Sequence, residues 1–238
     1  MTWPWRIFFS AAIAISVSGA PVSGSVKLRD SRDPAVAKKM DYSGVVVWLE
    51  PVQGSAHPAV IPRNSSMVQK DKTFTPHVLA IPVGSRVEFP NFDPIFHNAF
   101  SNYDGKIFDV GLYPPGSSQS VRFARPGIVR VFCNIHANMS AIIAVLNTPF
   151  FAVTGKDGRF TIADVPAGEY SLRVFHERAT AATLDSLTQR LSVSDAPANA
   201  GTIAISESGY LAIPHSNKYG RDYPPPSDSG SAYPAVRQ

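Results

Sequence analysis

Cysteine is nearly missing from this chain: Cys133 stands alone among 238 residues, so no disulfide can form within it. Charge of one sign is lacking too. The 22 Lys and Arg against 18 Asp and Glu leave +4, too slight a bias to argue for nucleic acid as a partner. Arg29, Arg32, Lys38 and Lys39 are interleaved with Asp30, Asp33 and Asp41 and read as a solvated face rather than an anion site. After the first 20 residues no apolar run approaches the roughly 20 residues a membrane span needs. A 3.6-residue apolar period shows only around residues 179–190, where Leu184, Leu187 and Leu191 fall three and four apart. Motifs of the Ser/His/Asp type, phosphate-binding loops and paired carboxylates are missing as well, which points away from an enzyme.

What the chain has in quantity is proline, 21 residues, and glycine, 16, a composition of short strands joined by turns. With 44% hydrophobic residues it can still bury a core, and the fold class expected is all-β. The start is different. Met1 and Arg6 precede an apolar run from Ile7 to Val17 that ends in Ser18, Gly19 and Ala20, and residues 1–20 resemble a secretory signal peptide. A periplasmic or secreted protein without a permanent membrane span is expected. In an oxidising compartment a lone Cys133 has three readings: a small buried hydrophobe, a bridge to another molecule, or a metal-bound thiolate.

Strands are predicted at residues 45–49, 78–83, 85–89, 120–123, 129–132 and 141–146, from β-branched and aromatic runs bounded by Gly, Pro, Asn or Asp. Beyond Thr148 two further runs read as a turn feeding an alternating strand: Lys156-Asp157-Gly158-Arg159-Phe160 and Pro166-Ala167-Gly168-Glu169-Tyr170. These runs resemble the carboxypeptidase-regulatory-like module, a small transthyretin-like or Cna-B-like β-sandwich, over residues 149–206. The strand pair such a module places before its turn is matched here by Ser25-Val26-Lys27-Leu28 and Val45-Val46-Val47-Trp48-Leu49, about 100 residues upstream. Residues 21–63 are therefore assigned to that sandwich, and residues 64–148 to a second unit inserted into it. Two tandem domains are the alternative. Residues 207–238, with Pro224-Pro225-Pro226-Ser227, are expected to form a flexible tail.

The sharpest signal lies in the insert, where Asp93-Pro94-Ile95-Phe96-His97-Asn98 precedes Cys133-Asn134-Ile135-His136-Ala137-Asn138-Met139. With six His and four Met in the chain, His at Cys+3 and Met at His+3 arises by chance about four times in ten thousand. Thiolate and thioether are soft ligands and imidazole is intermediate. Two His and one Cys in a plane with a weak axial Met describe a blue-copper electron-transfer site, whereas structural zinc rarely takes Met and calcium wants oxygen. A hairpin loop between strands 129–132 and 141–146 can turn Cys133, His136 and Met139 toward one point, which His97 reaches from another strand end. His77 shares a strand face with Leu79 and Ile81 and reads as a partly buried structural residue ahead of a second metal ligand with Met67. His176 is expected at the surface or between domains, and His57 and His215 in solvent.

Residues 64–148 resemble the cupredoxins, in particular the plastocyanin and amicyanin group of Greek-key β-sandwiches, whose ligand loop of Cys-x-x-His-x-x-Met type is joined by an earlier His. The resemblance implies a single type 1 copper ion held by His97, Cys133, His136 and Met139, with Asn98 tethering the two ligand loops and Asn134 supporting them. It also implies a one-electron carrier whose electrons pass through the exposed edge of His136, inside an apolar docking patch of Pro94, Ile95, Phe96 and Ala137 that meets a redox protein partner. Phe132 stands where plastocyanins carry Tyr, so a tyrosine route is not carried over. Similar proteins are of methylamine-utilisation type. Copper storage or delivery, and a structural or partner-binding sandwich, are the competing functions; one Cys without a further His cluster disfavours a multicopper enzyme.

Overall fold

The computed structural model describes residues 19–52, 55, 57–102, 106–212 and 214–223. Residues 1–18 of the expected targeting segment lie outside that set, and Ala20, its last residue, is already buried in a strand. The described chain is all-β apart from two short helices, and none of its helices is long and apolar enough to cross a membrane.

Four sheets stack on one another. An outer sheet of three strands orders Arg159–Val165, Ala20–Arg29 and Ala198–Ser206. It faces a four-stranded sheet of Phe151–Val153, Val46–Pro51, Gly168–Phe175 and Gln189–Val193. Between them Val26, Leu28, Val47, Leu49, Phe160, Tyr170 and Leu172 form one core. The strands that precede the metal-ligand motifs thus pair with strands that follow them: Ala20–Arg29 runs antiparallel to Arg159–Val165 and parallel to Ala198–Ser206. The Asp157-Gly158 turn closes tightly on this pairing. Gly158 has φ +74°, and a Cβ there would lie 2.2 Å from the carbonyl oxygen of Val26, so only glycine fits.

The third sheet orders Val78–Pro82, Ser140–Leu146, Gly127–Phe132, Phe100–Ser101 and Phe108–Asp109, and the fourth orders Ser118–Arg122, Arg86–Pro90 and Asn64–Ser66. A small hairpin, Val68–Lys70 with Thr73–Thr75, flanks them. Every strand of this pair of sheets lies between Asn64 and Leu146. Phe74, Val87, Phe89, Tyr113, Phe123, Val129, Val131, Ile143 and Val145 fill the core, together with Cys133 and Met139.

Ser140–Leu146 holds the stack together because it is apolar on both faces. Side chains alternate across a strand. Ala141, Ile143 and Val145 face the core that contains Cys133, while Ile142, Ala144 and Leu146 face Val46, Val78, Trp48 and Phe175 in a third apolar layer. That layer joins the two sandwiches. At its edge His77 stands between two acceptors, its Nδ1 3.1 Å from the Ser140 carbonyl and its Nε2 2.9 Å from the Glu177 carboxylate. His77 is therefore an exposed clasp between the sandwiches and not the partly buried residue its strand pattern suggested, while Met67 is fully buried elsewhere in the core. His176 is buried, not superficial, and pairs with Glu207 at 2.9 Å, which also takes Arg178 and Ser31.

The helical period at 179–190 yields only Ala181–Ser186, capped by Thr180, before the chain turns into the strand Gln189–Val193. A helix over Pro34–Lys39 was not expected; Asp33 caps it and Pro34 opens it. His57 is exposed, as its surroundings implied.

Candidate metal centre

Phe132 pairs with Ser140 across the Gly127–Phe132 and Ser140–Leu146 hairpin, which leaves the seven residues 133–139 as its loop. The loop is closed by its own backbone: Cys133 N donates to Met139 O at 3.0 Å and Met139 N to His136 O at 3.1 Å. Both end residues, Cys133 and Met139, are completely buried at the end of the core. His97 arrives from a different segment, fixed by a two-way backbone bridge with Tyr113 and completely buried.

Three side chains converge. The ligand atoms of His97, Cys133 and His136 lie within 4.8 Å of one another. The Cys133 Sγ stands 3.8 Å from His97 Nδ1 and 3.6 Å from His136 Nδ1. A thiol has one proton and can satisfy one of two imidazole lone pairs at most. A metal between them, with bonds of about 2.3 Å to sulfur and about 2.0 Å to nitrogen at tetrahedral or trigonal angles, separates sulfur from nitrogen by about 3.5–3.7 Å, close to both observed distances. The donor set therefore fits a soft or borderline ion. Met139 is buried in the same core cluster as Cys133.

The electrostatics keep the ligands ready. Burial pushes the Cys133 thiol up, with the backbone N–H groups of Ile135, Asn98 and His136 opposing it, so the thiol keeps its proton until a cation replaces it. Burial, reinforced by the nearby His97 and Lys72, lowers His136 to about 4 and leaves its ring neutral at pH 7. On the far side of His97, Nε2 meets the Asp93 carboxylate at 2.6 Å. Burial opposes the charge on Asp93, yet the N–H groups of Lys72 and Asp71, at 2.9 and 2.6 Å, and the His97 ring hold its carboxyl below the ordinary range. A carboxylate on Nε2 fixes the tautomer that leaves Nδ1 free to ligate. Asn91 shapes this turn, accepting from Asp93 N at 3.0 Å and donating to Ile95 O at 2.8 Å. The sequence marked neither role; an acid four residues before a ligand His was the available signal.

Asn98 joins the two ligand segments: its Oδ1 accepts from Asn134 N at 3.2 Å, and its Nδ2 donates to Asp109 at 2.7 Å and Gly111 O at 3.0 Å. Asn134 uses its own Oδ1 to accept from Lys218 N at 2.9 Å. Of the four residues expected in the docking patch, Pro94 and Ala137 are exposed and Phe96 is 42% exposed, but Ile95 is only 8% exposed because its side chain turns into the protein. Phe92, next to Asp93, is 63% exposed instead. His136 is only partly buried, in contrast to Cys133 and His97, but its Nε2 is buried and has no hydrogen-bond partner among the described residues.

The expected tail also departs from the sequence reading. Residues 214–223 lie against the ligand loop, where His215 stacks on Phe132 with ring centroids 4.0 Å apart and its Nε2 meets Ala137 O at 2.8 Å. Tyr223 Oη donates to Cys133 O at 2.8 Å, and Lys218 Nζ pairs with Asp109 at 2.8 Å. Aromatic and lysine side chains spaced along a Pro- and Ser-containing stretch found partners that composition does not register. Residues 224–238 lie outside the described set.

No family model matches the chain, and no curated protein does. Solved structures do match in part. A purple cupredoxin from Nitrosopumilus maritimus is 22% identical, with a TM-score of 0.32, over 34% of this chain and 99% of its own. A reduced Cu(I) amicyanin variant is 15% identical, with a TM-score of 0.33, over 43% of this chain and 99% of its own. A copper-containing nitrite reductase from Thermus scotoductus is 27% identical, with a TM-score of 0.34, over 51% of this chain, which spans only 28% of that enzyme.

Proposed function

We propose that this chain is an exported type 1 copper protein that carries one electron at a time, with His97, Cys133 and His136 as ligands and the Met139 thioether as a weak fourth. The observation that carries the reading is the pair of imidazole Nδ1 atoms set 3.8 and 3.6 Å from one buried thiol. Bound copper would supply a Cu(I)/Cu(II) couple there. The chain's own part is to hold the donors still. His97 is pinned by Asp93 and by its bridge to Tyr113, Cys133 and Met139 are packed in a core, and Asn98 ties the loops, so a change of charge meets ligands that cannot rearrange. Burial also keeps water from the thiolate.

The reading includes a non-enzymatic role, an unidentified redox protein as partner, approach over Pro94, Phe96 and Ala137, and a periplasmic or secreted location resting on residues 1–20. It also treats the outer sandwich as a carboxypeptidase-regulatory-like frame into which the copper unit is inserted. Adding Cu(II) to the purified mature protein beside a Cys133→Ser variant tests it. An intense thiolate-to-copper absorption band with narrow hyperfine coupling, lost in the variant, is expected. A folded, copper-loaded wild type without that band overturns the reading.

One observation favours a second function, copper storage or delivery: the Nε2 of His136, the ring nitrogen away from Cys133, is buried and not offered to a partner. Electron self-exchange separates the two, being fast for a carrier and negligible for a store.

A further inference from the structure

We infer that residues 214–223 are a working part of the metal centre, a strap that holds the ligand loop in its binding conformation before any metal arrives. The loop has seven residues, and the strap bonds three of them: Tyr223 Oη to the carbonyl of Cys133, Lys218 N to the side-chain oxygen of Asn134, and His215 Nε2 to the carbonyl of Ala137. None of these groups is a ligand donor, so the strap and a metal do not compete.

The bonds act on the loop where its own closure leaves it free. The internal bonds use Cys133 N, Met139 N and O, and His136 O. The strap takes the carbonyls of Cys133 and Ala137, which that closure does not use. Asn134 is gripped from two sides, by Asn98 through its backbone and by Lys218 through its side chain. Asp109 closes the ring, accepting from both Asn98 Nδ2 and Lys218 Nζ. The strap is held in turn by rings: His215 lies flat on Phe132, the residue before Cys133, and Tyr223 meets His215 edge-on at 5.1 Å. His215, Lys218 and Tyr223 are thus positioning residues. A site whose supporting shell is fixed binds without ordering its loop first.

The inference rests on the copper reading for its purpose, but its test does not. Amide hydrogen exchange of residues 133–139 is measured in the metal-free protein, for the full chain, for a chain ending after Ala212, and for full-length His215→Ala/Tyr223→Phe. Loop amides are expected to exchange about tenfold faster in both altered proteins, as the loss of one or two net hydrogen bonds gives, while amides of Arg159–Val165 keep their protection. The full-length double variant decides the matter if the shortened chain does not fold. With copper added, release to a chelator is expected to be about tenfold faster in the variants, with a broadened thiolate-to-copper band. Unchanged exchange at 133–139 in the double variant overturns the strap whatever the copper spectra show. A wild type with no thiolate band, but with loop exchange that depends on the strap, overturns the copper reading alone.

Discussion

Residues carry the chemistry here by being ordinary groups in exceptional company. A single cysteine, two histidines and a methionine are unremarkable singly, and they became legible because soft donors at Cys+3 and His+3 have no common structural reason to recur together. Asp93 was not legible, since a carboxylate near a histidine carries no signature until the fold turns it onto Nε2. Its charge sits directly behind a ligand imidazole. Asp93→Asn is expected to weaken copper binding about 10–100-fold, the usual cost of losing a partner behind a ligand His, and to raise the reduction potential, because a negative charge that favours Cu(II) has gone. Competition with a chelator and voltammetry read the two effects. An unchanged affinity would mean that Asp93 serves only the turn it shares with Asn91.

Elements were legible where β-branched or alternating side chains marked them, and the nine-residue Ala198–Ser206, with only Thr202, Ile203 and Ile205 β-branched, escaped notice despite its length. The apolar run at 141–146 read as a strand from composition alone, and the turn-plus-strand runs after Lys156 did so from alternation. Strands of two or three residues, such as Phe100–Ser101 and Asn64–Ser66, hold too few side chains to display a period. The two faces of Ser140–Leu146 make a sharp comparison possible. Ile142→Ala and Ile143→Ala should each cost about 2–5 kcal/mol in urea unfolding, the range for a buried Ile reduced to Ala. Only Ile143→Ala, on the face shared with Cys133, should alter the copper spectrum. Equal spectral change in both would contradict the separation of the two cores.

For the whole molecule, the contact between sandwiches combines an apolar layer with one titratable clasp. The Glu177 carboxylate on His77 raises that imidazole above its ordinary 6.5. Burial opposes the charge on Glu177, but His77 and Arg178 hold it below its ordinary 4.5. The His77 contribution is complete below pH 6.5 and fades as pH rises through its raised value. The Glu177 contribution is complete above pH 4.5 and fades as pH falls through its lowered value. The clasp is accordingly strongest between those limits. With His77 47% exposed, it is worth less than about 1 kcal/mol. The urea midpoint should decline between pH 6.5 and 8, and His77→Gln should flatten that decline; a slope identical to wild type would remove the clasp from the account.

The order of the strands along the chain also sets an order in time. All pairings of the inner sandwich close within residues 64–146, whereas Ala20–Arg29 waits for Ala198–Ser206, about 180 positions later, to complete its sheet. Contacts near in sequence form before distant ones. As the polypeptide emerges, the ligand pocket takes shape first and its frame is sealed around it, with one edge of Ala20–Arg29 unpaired until Arg159–Val165 appears and the other until Ala198–Ser206 follows.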